Sequence, residues 1–582
     1  MCYINQREMF CFGMQGGIPE LFTNFKQGLI VLNRLRKMPG FGLPPWLNWK
    51  SVLWASVGFA LLSCLIAIGF NYMPSRDMAT RYVPMVEAFV DGDWRYAFHP
   101  RVPPLQVVCG ALTAWIGRCD GFTALKLVSS FWHIGSVFLV FILFQAVYKD
   151  RKMLPALAAL CCAFYPYAFH MAYSGLRESA KIFILLLIAY ALVRIRDNVK
   201  QIGGYILLGL GCGLGAVNRQ EMIPIACCCL FFGAVEESFS GKFPRKIFIS
   251  LLISAVFPII NTLINWFLFQ TPMPDCRLEQ LYVELFGTKP GVSVFFLALA
   301  GVTVLIPPAG FLAVKLCRRM HYAWFFGLAL LFTVITSLWM LKVDPNADLW
   351  DYLDSVSKGF YRFAGGFAFL STIYLICRNR LSRSELWVLA VALAAAVLSI
   401  AMIHVIDRSL FVSSRYLFTG MPLLFGVLLV GIGELFDLIV RFIGKLPAQI
   451  LSILLIGGAV YGLTTHMTQP LWRLHKRKHN IAMRAIMNDL ADVLKKDYKG
   501  APVRNVEYYP LVYNSRKAPK VYFADDDKVC ILSYWAGGSP ALYYKEADYY
   551  IGPGNPPPGK KCTLIGEVAT PDAPFMVWRV EK

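Results

Sequence analysis

Side chains able to move a proton or grip a phosphate are gathered in a few short polar segments between long apolar runs. The richest is 71–104, where Asp77, Arg81 and Tyr82 are followed by Asp93 and Trp94, then by His99, Arg101 and Pro-Pro-Leu. Arg177 and Glu178 stand in Ser-Gly-Leu-Arg-Glu-Ser, Arg219 and Glu221 in Asn-Arg-Gln-Glu, and Arg415 and Tyr416 open a later apolar run. Arginine binds phosphate in a bidentate way and stays charged. A carboxylate can deprotonate a hydroxyl or hold a divalent cation. Arginine beside a leaving phosphate stabilises the charge that develops there. The set suits a substrate with a lipid tail, a phosphate and a polar group to be moved. Asp77 leads the list, because an acidic group just outside a membrane helix is costly unless it is used.

The elements that must position these residues are membrane helices. The chain has 582 residues, 57% of them hydrophobic and only 16% charged, against about 25% charged in a soluble protein. Its apolar residues fall in blocks of roughly 18–24, the length that crosses a bilayer. About thirteen spans result on that criterion, near 51–70, 125–147, 154–171, 179–194, 202–217, 222–236, 247–269, 291–315, 321–341, 359–377, 385–405, 416–440 and 447–466. The net charge of +21 comes from Lys and Arg in short loops, as the positive-inside rule requires. No basic face of a folded module suggests nucleic acid as a partner. With the N-terminus inside, the basic loops share the cytoplasmic side and the polar segments above share the outer one. The run 103–117 does not fit as a span and reads as a short helix lying on the outer surface. The apolar stretch near Gly28–Leu32 is too short for a signal peptide, so the first span serves as an uncleaved anchor.

Three regions follow: a cytoplasmic segment over 1–50, a transmembrane domain over 51–469 with a long first outer loop at 71–124, and a soluble extracytoplasmic α/β domain over 470–582. In the last, 475–498 has helical periodicity and 521–523, 529–534, 549–551 and 575–580 read as strands. Cys530 and Cys562 form a disulfide there if geometry allows. The other cysteines lie mostly in apolar runs and have no zinc spacing.

Each candidate also has a plain structural reading. Asp77 can cap the first helix or pair with Arg76 or Arg81. Glu178 can pair with Arg177 or Lys181. Arg219, Arg415 and Tyr416 can anchor helix ends at the interface. His99 has no partners that would make it a metal ligand. Asp344, Asp348, Asp351 and Asp354 read as a solvated acidic face.

The order Arg-Asp, Arg81-Tyr82, Gly-Asp-Trp and Pro-Pro-Leu, with the later Ser-Ser-Arg-Tyr-Leu-Phe-Thr-Gly-Met-Pro, resembles the GT-C glycosyltransferases. Nearest are the dolichyl-phosphate-mannose protein mannosyltransferases and the lipid A aminoarabinose transferases. The resemblance is best over 51–235. It implies an all-α polytopic membrane fold of about 13 helices with an outer C-terminal domain. It also implies transfer of a sugar from a polyprenyl-phosphate donor at a bacterial inner membrane. Asp77 then matches the catalytic acid of the first loop and Glu178 the acidic position of the second. Arg219 matches a basic residue facing the lipid phosphate, and Arg415 and Tyr416 the late Arg-Tyr pair. Arg81, Tyr82, His99, Arg101 and Glu221 join them as substrate-binding groups. A divalent cation (Mg or Mn) on Asp77 stays open. Two features depart from the family. Only Asp77 is acidic ahead of Arg81-Tyr82, and Val102 stands where the aminoarabinose enzymes have lysine. A flippase of lipid-linked sugars and a non-catalytic envelope-assembly protein are the rival readings. The absence of repeats and the outer-edge placement of the polar groups argue against the flippase.

Overall fold

A computed structural model of the chain describes residues 48–70, 77–274, 276–317, 370–375, 381–407 and 417–444. In the C-terminal region it describes 485–486, 488–498, 506–507, 513–514, 520–523, 539–540, 547–556, 559–570 and 573–581. The helices are α1 Trp49–Phe70, α2 Val83–Val90, α3 Trp94–Ala97, α4 Leu105–Gly117, α5 Gly121–Val147, α6 Met153–Ala163, α7 Pro166–Ser174 and α8 Glu178–Asp197. They continue with α9 Ile202–Ala216, α10 Met222–Ser238, α11 Ile247–Phe269, α12 Cys276–Phe286, α13 Val292–Cys317, α14 Arg383–Asp407 and α15 Met421–Ile443. A π-helical turn, Met78–Tyr82, precedes α2, and a 3₁₀ turn, Phe418–Gly420, precedes α15.

Among the described residues five helices are long and apolar enough to cross a bilayer: α1, α5, α11, α13 and α14. The pair α6 and α7, bent by 53° at Phe164–Tyr165, makes a sixth. Pro166 opens the second half of that pair, and a proline removes a backbone donor where the helix would have continued. The expected span over 154–171 is therefore a broken one. Helix α8 is as long as a span but carries charges at both ends, while α9 and α10 are unbroken helices of 15 and 17 residues. The chain is thus a polytopic helical membrane protein. The expected spans at 321–341 and 447–466, most of 359–377, the acidic loop at Asp344–Asp354, and Arg415, Tyr416 and Cys530 lie outside the described residues.

Helix α8 is the buried centre, packed by α5, α9, α10 and α14. Glycines let α9 approach α11: a Cβ on Gly209 would sit 2.8 Å from the Ser250 carbonyl oxygen. Small residues at such crossings are how membrane helices gain contact. The open ends of helices are closed by side chains. Glu237 accepts from the Lys246 and Ile247 amides at 2.9 and 3.0 Å, capping α11, and these are donors that a helix start leaves unpaired. Lys126, buried in α5, donates to the Ile68 carbonyl in the last turn of α1 at 3.2 Å.

The segment 77–117 is folded against the helices. As expected, 103–117 contains a short helix, α4, which starts after Pro104. Its Gln106 amide donates to Ser129 Oγ at 2.7 Å and to the Gly175 carbonyl at 3.0 Å, and the Leu105 amide donates to the Val217 carbonyl at 3.0 Å. Gly175 ends α7 at φ +78, and a Cβ there would lie 2.7 Å from Met78 Cε. Glycine meets both demands at once.

In the C-terminal region the sheet order is β4-β3-β5-β7-β6. The strands are β3 Lys520–Phe523, β4 Ser539–Pro540, β5 Tyr549–Pro553, β6 Cys562–Val568 and β7 Phe575–Val580, preceded by a separate ribbon of β1 Val506–Glu507 and β2 Tyr513–Asn514. Strands β3, β4 and β5 run parallel, while β7 is antiparallel to both β5 and β6. The helical residues 488–497 cover one face, where Leu490 and Leu494 pack with Val521, Tyr549, Ile551 and Val577. Strands were expected at 521–523, 549–551 and 575–580, and all three are present. The one expected at 529–534 lies outside the described residues. Strand β6 was not anticipated. Gly566 breaks its alternation at a bulge and admits Val493, whose Cγ1 would be 2.6 Å from a Cβ there.

Candidate functional site

Three chain segments supply the site: the π-turn that carries Arg81 and Tyr82, the start of α8, and the turn 218–221 between α9 and α10. Asp77 stands at the N-terminal edge of the π-turn, and its side chain makes no capping hydrogen bond to that turn. Its side chain is half-buried. Tyr82 is buried, and the charges acting on its hydroxyl come from all three segments: Arg177, Glu178, Asp77 and Arg219. Burial is the larger effect and raises its pKa; the two arginines oppose the rise and the two carboxylates add to it. Arg177 lies over the Tyr82 ring at 5.9 Å. Arg177 and Asn218 exchange hydrogen bonds to each other's backbone carbonyls at 3.5 and 3.4 Å, which ties α8 to the turn.

Behind this surface is a buried chain of charges. Arg219 Nη1 donates to Glu178 Oε1 at 2.6 Å, and its Nε is ion-paired with Glu221 Oε1. Lys181 Nζ lies 3.4 Å from the same Glu221 oxygen and 3.0 Å from Ser399 Oγ on α14. Glu178, Lys181, Arg219 and Glu221 are all 2% exposed or less. Two cations balance two anions, the condition under which charges persist away from water. Burial opposes the ionised form of Glu221, yet Arg219, Lys181 and Arg177 together hold its carboxyl well below the ordinary carboxylate range. Glu178 therefore pairs with Arg219 across the segments. Arg219 is fully enclosed by these partners.

A second group of basic residues faces the α11 end. His99 is buried, its Nδ1 accepts from the Arg101 amide at 3.1 Å, and its ring lies 6.3 Å from Phe269. Burial, then the charges of Arg101 and Arg81, lower its pKa to about 4. The imidazole is neutral with the proton on Nε2, since Nδ1 is an acceptor.

Sequence reasoning passed over two further features. Arg277, half-buried on the amphipathic helix α12, has its guanidinium nitrogens 2.6 and 3.1 Å from the Gln220 side-chain amide. An apolar cavity of about 310 Å³ is lined among others by Cys212, Ile223, Ala226, Pro274, Phe295 and Leu278, the residue that follows Arg277. The polar, charged pattern of 275–289 was the available signal for α12; a cavity between helices has no signal in a single sequence. Among the described residues no group of three or more His, Cys, Asp or Glu could hold a metal ion.

No protein-family model and no curated protein matches this sequence. Among solved structures its fold recurs. The archaeal oligosaccharyltransferase AglB from Archaeoglobus fulgidus, in complex with an inhibitory peptide and a dolichol-phosphate, is similar at TM-score 0.50 and 11% identity over 86% of this chain and 69% of that one. The same oligosaccharyltransferase tethered with an acceptor peptide gives TM-score 0.50 at 11% identity, over 85% and 64% of the two chains. ArnT from Cupriavidus metallidurans in the apo state aligns over 90% of this chain and 97% of its own, with 10% identity and a looser TM-score of 0.39. The chain thus spans about two thirds of the length of AglB. The likeness is one of fold: this chain shares the helical membrane-protein architecture of that oligosaccharyltransferase.

Proposed function

We propose that this chain is a membrane glycosyltransferase that moves a sugar from a polyprenyl-phosphate carrier to a hydroxyl-bearing acceptor on the outer side of the membrane. The observation that carries this reading is the convergence of Asp77, Arg177, Glu178 and Arg219 around Tyr82, and an apolar cavity between the helices offers room for a lipid tail. The sequence resemblance and the fold shared with AglB, which was solved with a dolichol-phosphate, support a lipid-linked donor. In this reading the acceptor oxygen attacks the anomeric carbon, the bond from that carbon to the phosphate oxygen breaks, and Asp77 takes the acceptor's proton. Arg177 and Arg277 meet the phosphate that leaves and stabilise its charge. Arg81, Arg101 and His99 border the same site, with His99 as a neutral donor. Glu178, Arg219 and Glu221 act from behind as the buried frame that fixes Arg177 and the 218–221 turn. Arg415 and Tyr416 keep the role that the resemblance implies. The cavity holds roughly twice the volume of one that takes a benzene, enough for about two isoprene units of the carrier.

The topology that goes with this reading has the N-terminus in the cytoplasm and the C-terminal sheet outside, in a bacterial inner membrane. Incubating membranes that contain the chain with a panel of radiolabelled polyprenyl-phosphate sugars tests it. Label should move to a second lipid, glycan or protein. Movement of lipid between leaflets without transfer would favour a flippase instead.

A further inference from the structure

We propose that Lys181 is a positioning residue of this site, fixing the charge of the buried frame and joining it to α14. The inference rests on the transfer reading above. Lys181 lies one turn inside a helix of the bundle and is fully buried. An ionisable group at such a position is costly and is kept for a use. Its ammonium has two named partners, Glu221 Oε1 at 3.4 Å and Ser399 Oγ at 3.0 Å. Through Glu221 it reaches Arg219, and through Arg219 it reaches Glu178. The frame thus runs from α14 through α8 to the 218–221 turn.

The charge count gives Lys181 its role. With it, the four residues sum to zero. Without it, two carboxylates share one guanidinium, and the buried set carries one excess negative charge directly behind Arg177. An excess buried carboxylate binds a proton more tightly than in water. It would be neutral at low pH and charged at high pH, and the charged form would repel the donor phosphate. The charged groups acting on Glu221 are Arg219 of the turn, Lys181 of α8 and Arg177 at the start of α8; Glu178 joins them through Arg219 and faces Tyr82 of the π-turn, and Ser399 of α14 meets Lys181. None of the others changes the count when Lys181 is replaced.

The test compares wild type, Lys181→Met, Lys181→Arg and the charge-balanced Lys181→Met/Glu221→Gln, each as the full chain in nanodiscs. Binding of undecaprenyl phosphate and thermal stability are read at about pH 6 and about pH 9, the range in which buried carboxylates titrate. Relative to wild type, Lys181→Met should lose about tenfold in binding between the two pH values, the effect of one unit of proton affinity, and its stability should fall over the same interval. Lys181→Arg and the double variant should follow the wild-type pH dependence. The proposal is overturned if Lys181→Met tracks wild type at both pH values, or if the double variant keeps the pH dependence of the single one. Failure of wild type to bind undecaprenyl phosphate would instead overturn the donor reading, and the stability arm alone would then decide the role of Lys181.

Discussion

Replacing Arg219 by methionine removes the guanidinium but keeps most of the apolar stem, which isolates the charge. Arg219 is 1% exposed and pairs with two carboxylates that are themselves 2% exposed. After Arg219→Met, Lys181 still offsets Glu221, and Glu178 is left as a buried carboxylate without its 2.6 Å donor. Breaking a buried pair from one side costs about 3–5 kcal/mol, a drop of about 10² to 10⁴ in the ratio of folded to unfolded protein. The stranded carboxyl has a higher pKa in the folded state than in the unfolded one. Folded protein can therefore hold its proton at low pH, and the deficit grows as pH rises through the folded value. Denaturant unfolding in micelles, followed by tryptophan fluorescence at low and neutral pH, measures both the size and the sign. Arg219→Met/Glu178→Gln restores the charge balance and should recover much of the loss. Arg177→Met, at a half-buried position, should cost about 1 kcal/mol or less. If Arg219→Met unfolds like wild type at neutral pH, the buried frame does not exist as described.

Other perturbations read other parts of the molecule. Ala226→Phe fills the apolar cavity and should raise KM for a polyprenyl-phosphate donor about tenfold while kcat changes little, the pattern of lost ground-state binding. His99 titrates near 6.5 in the unfolded chain and at about 4 in the fold, so wild type should lose up to about 3 kcal/mol as pH falls between those values; His99→Gln should lack that acid limb in unfolding curves. Glu237→Ala removes both caps at the start of α11 and should cost about 1–2 kcal/mol in the same unfolding assay, with KM unchanged.

Much of the arrangement is legible in the residues, and the limits have physical causes. Apolar runs of bilayer length name their helices directly, because backbone in lipid must bond to itself. The short helix after Pro103-Pro104 is readable from its length alone. What the sequence leaves open is which charges meet. Glu178 has Arg177 and Lys181 as neighbours in the chain, yet its partner is Arg219, brought to it by the packing of α8 against α9 and α10. The bend between α6 and α7 follows from a proline within an apolar run, a signal that fits either a kink or a turn. Arg277 is one basic residue among 57 Lys and Arg; only the placement of α12 beside Gln220 distinguishes it. Strand β6 escapes because Gly566 serves the approach of Val493 and spoils the alternation that would have marked it.

The central claim is that Asp77 does the proton chemistry of sugar transfer. It is tested most directly by transfer from a radiolabelled polyprenyl-phosphate sugar by purified wild type and by Asp77→Asn, with unfolding curves taken on both. The predicted result is a fall in rate of about 10²- to 10⁴-fold, the usual share of a positioned acid–base group, with stability unchanged. Transfer by Asp77→Asn at the wild-type rate would contradict it.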